Sequence, residues 1–261
     1  MSAEPRALLT RPAGQADALR EGLQTCGFDS LHVPMLTIEP IDPLPAEQRQ
    51  RVIDLDLYED LIFISANAAR MGLACFEDFW PQYPAGQRYW AVGRSTAQVL
   101  DAAGLLAHSP ADDMSSEGLL AMRGLASVAG RRLLIVKGEG GRDLIQETLR
   151  ERGARVDTLR CYRRTPTTLE SAACHALLQR QPVQLILISS GEGLRILSGL
   201  LQPRENTNLA ATALVVPSAR VAEEALRLGW LSIEQAANAS DSAMLAAAQI
   251  WRASHLGEAN H

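Results

Sequence analysis

Apolar residues in this chain fall in short, dense runs. LIFIS at 61, LLIV at 133, LILIS at 185 and ALVV at 213 are apolar at successive positions, not alternate ones. A strand covered on one face alternates, whereas a strand covered on both faces reads as a continuous run. Each run is followed by a turn of Ser, Gly, Thr or Asn and then by apolar residues three and four apart. After Gly141, the residues Leu144, Ile145, Thr148 and Leu149 share one helical face, and Gly153 stands where a C′ glycine ends a helix. Pro12, after Thr10-Arg11, suits the first turn of a helix. Strand, turn and helix in alternation predict βαβ units and parallel sheets.

The units recur. LIFISANAARMGLACF at 61 pairs with LILISSGEGLRILSGL at 185, AVGRSTAQVL at 91 with VVPSARVAEE at 215, and SSEGLLAM at 115 with ASDSAMLA at 239. The offset is 124 each time, taking Ser65 to Ser189, Val92 to Val216 and Ser116 to Ser240. The opening unit, RALLTRPAGQADALREGLQTCGF, resembles RRLLIVKGEGGRDLIQETLRERGA at an offset nearer 126. A constant long offset implies duplication of a domain, not a short-period solenoid. The fold class expected is α/β, with two similar doubly wound parallel-sheet domains. Two proline-bearing pieces of mixed polarity, HVPMLTIEPI (32–41) and TLRCYRRTPTT (158–168), do not fit the βα pattern and are the candidate interdomain connections. PQYPAG at 81–86 reads as a loop, and the polar C-terminal SHLGEANH as a frayed end.

Composition narrows the function classes. A length of 261 residues accommodates one large α/β domain or two modest ones, and 47% hydrophobic with 21% charged residues is ordinary for a globular protein. A net charge of −5 argues against nucleic-acid binding, and means that local groups must hold any bound anion. The four cysteines, Cys26, Cys75, Cys161 and Cys174, have no metal-type spacing and read as reduced thiols of a cytoplasmic protein. The five histidines are scattered, so no metal site is expected. There is no signal-peptide pattern and no apolar run of membrane-spanning length, so neither export nor a membrane partner is expected.

VKGEGGR, which ends at Arg142 and is followed by Asp143, invites a nucleotide-binding reading, because a strand, a glycine turn and a helix hold anions well. The dinucleotide fingerprint fails. Gly138 and Gly140 require glycine at 143, which is Asp143; Gly191 and Gly193 require it at 196, which is Ile196. The Walker pattern is absent. A nucleotide- or phosphate-binding α/β enzyme stays as one alternative, and a non-catalytic two-domain ligand-binding protein as another.

Seven segments point elsewhere. They are LLTRP near the N-terminus, the stretch from Phe63 to Ala68, AVG with Thr96 and Ala97, SSEGLL, VKGEGGRDLIQETLRERGARV running on to CYRR, LISSGEGL, and VVPSARVAEEALRLG followed by ANASDSAML. Together, and in this order, they resemble the uroporphyrinogen-III synthase family across nearly the whole chain. The resemblance implies two α/β domains joined by a two-stranded hinge. One comprises 1–36 plus 165–261 and the other is the inserted 38–161, with hinge connections at about 32–41 and 158–168. The repeat alone would instead divide the chain near 128.

The resemblance also implies a reaction. Hydroxymethylbilane, a linear tetrapyrrole with several carboxylates, loses water and cyclises with inversion of ring D, through a spiro intermediate, to uroporphyrinogen III. Such an enzyme is a cyclising hydro-lyase of haem, sirohaem and cobalamin biosynthesis. It needs no cofactor, acts as a monomer, and has at most transient contact with the preceding pathway enzyme. Tyr162 aligns with the family's hinge tyrosine and is the candidate general acid.

Ligands of open parallel sheets sit beyond the carboxyl ends of the strands, where helix N-termini offer N–H donors. The substrate-binding candidates are therefore Thr10, Arg11, Ser65, Asn67, Ser95, Thr96, Lys137, Gly138, Gly140, Gly141, Arg142, Ser189, Ser190, Gly191, Ser218 and Arg220. Plainer readings stand beside these. Ser65, Ser189 and Ser218 suit helix N-caps. Lys137, Arg142, Arg11 and Arg220 suit solvated loop charges. Tyr162 suits simple hinge packing with a wet hydroxyl. Cys161 reads as a buried small residue, His32 as structural, and Glu139 and Glu192 as solvent-facing.

Overall fold

The computed structural model describes residues 4–203 and 212–256. Its contacts divide the chain into two units, Met1–Ile38 with Thr165–His261, and Glu39–Arg164.

The first unit contains a five-stranded sheet ordered β11-β10-β9-β1-β2, with every pairing parallel. Its strands are β1 (Arg6–Leu9), β2 (Asp29–His32), β9 (Leu185–Leu187), β10 (Ala213–Val216) and β11 (Ile233–Gln235). Successive residues serve opposite faces. Ala7, Leu9, Leu185, Leu187 and Val215 pack against α1 (Asp17–Thr25) and α11 (Asp241–Leu256). Leu8, Ile186, Leu214 and Val216 pack against α8 (Ser171–Arg180), α9 (Gly191–Leu201) and α10 (Ala219–Leu228). Burial on both faces is why these strands read as continuous apolar runs.

The second unit is built on the same plan. Its sheet is ordered β3-β8-β7-β4-β5-β6. The parallel part comprises β4 (Asp60–Phe63), β5 (Arg88–Ala91), β6 (Ala107–His108), β7 (Arg132–Gly138) and β8 (Arg155–Pro166). Ile62, Leu133 and Ile135 face α5 (Ser116–Ala121), α6 (Arg123–Ala126) and α7 (Leu144–Glu151). The remaining helices are α2 (Ala46–Ile53), α3 (Ala66–Glu77) and α4 (Arg94–Ala102). Each strand of the first sheet has a counterpart at the same place in the second: β9, β10 and β11 match β4, β5 and β6, and β1 and β2 match β7 and β8. The last third of the repeat thus comes from the N-terminus in the first unit.

The two irregular pieces are strands that pair with each other. β3 (Leu36–Pro40) lies beside β8, and Ile41 N–H donates to Cys161 O at 3.0 Å while Thr167 N–H donates to Met35 O at 2.9 Å. As the chain advances from Met35 to Ile41 its partner moves back from Thr167 to Cys161, so β3 is antiparallel to β8. The edge of a sheet tolerates its proline and its exposed polar positions. The chain passes between the units in these two strands.

The capping serines correct the repeat register. Ser65 Oγ accepts from Ala68 N–H, Ser115 from Gly118, Ser190 from Gly193 and Ser218 from Val221, each opening a helix. Matching caps pair Ser65 with Ser190, Gly93 with Ser218 and Ser115 with Ser240, which is an offset of 125 rather than 124. Ser189, expected as a cap, instead accepts from Arg11 Nε at 2.9 Å. Ser190→Ala is accordingly expected to cost about 1 kcal/mol in urea unfolding; no measurable loss would return the cap to Ser189.

Two further expectations change. Pro12 is not in a helix's first turn. Its carbonyl accepts from Gln15 N–H at 3.2 Å within a turn bent at Gly14, and α1 begins only at Asp17. SHLGEANH begins inside α11, where His255 stacks on Trp251 with ring centroids 5.1 Å apart; residues 257–261 lie outside the described residues.

Candidate functional site

The parallel strands β4, β7 and β8 end side by side, and their ends assemble the candidate catalytic group. β7 and β8 pair in step as far as Lys137 and Arg160; a bulge then sets Gly138 against Tyr162, and Cys161 is left over. A bulge of this kind re-aims the side chains beyond it. Here it lays the Tyr162 ring where a side chain at 138 would project: a Cβ on Gly138 would lie 2.5 Å from Tyr162 Cε2. The ring is buried, and Tyr162 Oη lies 3.2 Å from Ser65 Oγ. Ser65 reaches this point because β4 delivers it to the N-terminus of α3, which it caps at 3.0 Å from Ala68 N. Cys161 is wholly buried, with its Sγ 3.6 Å from Lys137 O, and burial pushes its thiol far up in pKa. A thiol so held stays protonated and is no nucleophile.

Lys137 is the other notable group. It is buried at 5% exposure, and its Nζ is 2.9 Å from the half-exposed Asp143 carboxylate. The hydrogen bond from Lys137, its charge, and the charges of Arg160 and Arg150 hold the Asp143 carboxyl below the usual carboxylate range. Lys137 and Asp143 border two cavities. One, of about 180 Å³, is shared with Ile64, Ser116 and Ile145; the other, of about 260 Å³, with Glu139, Gly140, Gly141 and Arg160. Gly140 and Gly141 have φ of 73° and 85°, a conformation that favours glycine, and nothing stands within 4 Å of where their side chains would be. Arg160 is not among the sequence candidates. It is the cross-strand partner of Lys137, and strand pairing is not legible in a single sequence.

The remaining candidates divide. In the second unit, Ser95 and Arg142 are exposed, with Arg142 Nη1 3.1 Å from Glu117, and Asn67 is half-buried. Thr96 is only 3% exposed and is buried with Ala97 and Leu100 in α4. Gly138 serves as room for the Tyr162 ring, and the next amide, of Glu139, is already bonded to Tyr162 O at 2.8 Å. Glu139 is exposed, as expected; Glu192 is half-buried.

In the first unit, Thr10 is buried and its hydroxyl donates to Leu187 O at 2.8 Å. Arg11 is a tie, not a solvated charge. Its guanidinium donates to Ser189 Oγ at 2.9 Å, to Ala239 O at 2.6 Å and to the Asp241 carboxylate, while its carbonyl lies 2.8 Å from His32 Nε2. Gly191 is buried inside α9, Ser190 and Ser218 are caps, and Arg220 is exposed. Arg163 and Arg164 are exposed on β8. Among the described residues, no group of three or more His, Cys, Asp or Glu is placed to hold a metal ion, and no helix is long and apolar enough to cross a membrane.

Comparison with known proteins places this architecture. Residues 17–246 match the family described as Uroporphyrinogen-III synthase HemD. The chain is 36% identical over 247 residues to the uroporphyrinogen-III synthase of Escherichia coli K12, covering 93% of this chain and 99% of that one. It is 35% identical over 246 residues to the Salmonella typhimurium enzyme of the same name, with the same coverage. Among solved structures, a mutant uroporphyrinogen III synthase from Thermus thermophilus superposes with a TM-score of 0.62 at 20% identity, covering 97% of this chain and 100% of that one. The Helicobacter pylori uroporphyrinogen-III synthetase gives a TM-score of 0.62 at 14% identity, covering 95% and 100%. These structural likenesses establish a common fold, and the sequence matches establish kinship: the chain belongs to the uroporphyrinogen-III synthase family.

Proposed function

We propose that this chain acts on hydroxymethylbilane as a cyclising hydro-lyase and releases uroporphyrinogen III. The observation that carries the reading at the level of chemistry is the Tyr162 phenol, buried against Gly138 and bonded to Ser65 at the carboxyl ends of parallel strands. The hydroxyl of the substrate's hydroxymethyl group leaves readily because the attached pyrrole is electron-rich and stabilises the methylene cation, but it must leave as water. Tyr162 donates its proton to that hydroxyl, and the C–O bond breaks. The proton released when the closed macrocycle regains its aromatic pyrroles restores the phenol. The reading favours Lys137, together with the Gly140–Gly141 turn, as a holder of one acidic arm of the substrate, since a buried ammonium attracts a carboxylate more strongly than a solvated one does. Positioning the chain of pyrroles so that inversion outruns simple closure is then the larger part of catalysis.

The nucleotide alternative is not favoured, because family membership and the failed glycine spacings both speak against it. The test is to supply hydroxymethylbilane, oxidise the product and resolve its isomers. Type III product is expected, and type I alone, the product of unassisted closure, overturns the reading. Tyr162→Phe is expected to lower kcat by roughly a hundredfold, the lower margin of general acid catalysis. An unchanged kcat would remove Tyr162 from the chemistry.

A further inference from the structure

We infer that Ser65 is a positioning residue that couples the Tyr162 phenol to the N-terminus of α3. The inference rests on the proposed role of Tyr162 and assigns Ser65 to the acid rather than to the substrate. A serine hydroxyl has one proton to donate and two lone pairs. One lone pair of Ser65 Oγ is committed to Ala68 N–H at 3.0 Å, which fixes the oxygen to the first turn of a twelve-residue helix. The proton and the second lone pair remain, and Tyr162 Oη is 3.2 Å away. Ser115, Ser190 and Ser218 make the same capping bond, and among the described residues Ser65 is the capping serine that also meets a phenol.

This geometry allows the proton to move with the heavy atoms at rest. Before reaction, Tyr162 O–H donates either to Ser65 Oγ or to the substrate hydroxyl. As the phenol O–H breaks and its proton passes to the leaving oxygen, the substrate C–O bond breaks and water forms. Ser65 O–H rotates to donate to the phenolate left behind. That charge then sits one hydrogen bond from a helix N-terminus, whose partial positive charge favours it. Gly138 holds the other side, since the ring occupies the space of its missing side chain, so the phenol cannot retreat toward β7.

A double-mutant cycle tests the coupling, with kcat and KM for type III product read for Ser65→Ala, Tyr162→Phe and the pair. Ser65→Ala is expected to lower kcat about fivefold, leave KM nearly unchanged, and move the alkaline limb of the kcat profile to higher pH. In the Tyr162→Phe background the same change is expected to have almost no further effect on kcat. Ser65→Thr, which keeps both bonds, is expected to recover most of the activity. Equal loss in both backgrounds would mean that Ser65 acts only as a cap, and wild-type kcat in Ser65→Ala beside a slow Tyr162→Phe would overturn the inference while sparing Tyr162. If Ser65→Ala fails to fold, Ser65→Gly supplies the same comparison, because glycine is tolerated at an N-cap.

Discussion

Gly138→Ala is expected to cut kcat for type III product at least tenfold and to destabilise the fold by about 1–3 kcal/mol, the usual range for overpacking a filled site. The added carbon would lie 2.5 Å from Cε2 and 2.6 Å from Cζ of Tyr162. Contacts that close force a shift, and neither side yields cheaply. Gly138 is held in the ladder between β7 and β8, and the Tyr162 ring is buried with its hydroxyl on Ser65. The ring must therefore turn away, taking the phenol out of reach of Ser65 and of any group it protonates. Gly130→Ala, away from the site, is the control: its φ of 78° makes alanine strained there, yet nothing stands within 4 Å, so stability falls while kcat holds. Steady-state kinetics with urea unfolding measures both, and wild-type kcat in Gly138→Ala would show that the ring position is not needed.

Asp60→Ala is expected to destabilise the protein by roughly 3–5 kcal/mol, the range for breaking a buried ion pair. Asp60 opens β4 and is wholly buried. Its carboxylate takes Arg88 Nε at 2.9 Å, Arg131 Nη1 at 3.3 Å and Trp90 Nε1 at 2.8 Å. Arg88 is 41% exposed and can turn to water, but Arg131 is 14% exposed and its Nε already lacks a partner. Removing the carboxylate leaves that guanidinium its bond to Gly124 O at 2.6 Å but strands its buried charge. Because Asp60 lies at the amino end of β4 and Ser65 follows its carboxyl end, kcat below the unfolding transition should be preserved. A loss under about 1 kcal/mol would show that Arg131 finds water instead.

Much of the architecture was legible because it is written in local pattern. Both-face burial makes β4, β7, β9 and β10 read as unbroken apolar runs, and α7 shows its buried face in Ile145 and Leu149. Tyr162 became a candidate through a motif, CYRR. The one-residue slip in the repeat came from serine pairs: either member of Ser189-Ser190 satisfies a capping pattern, and only backbone dihedrals and a bond to Gly193 choose Ser190. Thr96 follows a strand as the other hydroxyl candidates do, and that it is buried with Ala97 and Leu100 shows only in the fold.

Arg11 and Lys137 show the division most sharply. Each stands at the carboxyl end of the equivalent strand of its unit, β1 or β7, and in sequence they are the same kind of residue. Arg11 is taken up by Asp241 and Ala239, far away in the chain, whereas Lys137 meets Asp143 in the next turn and borders two cavities. By itself the sequence determined the βα units, their duplication and the resemblance to a family, which implied the domain division and named the candidate tyrosine. Hydrophobic period and turn chemistry act over a few residues, so one chain displays them. Only the tertiary structure decided the order in which the strands pair, that a bulge lays Tyr162 over Gly138, and that Ser65 arrives beside its hydroxyl. Those outcomes depend on pairings between distant segments, and such pairings leave no trace in the order of neighbours along the chain.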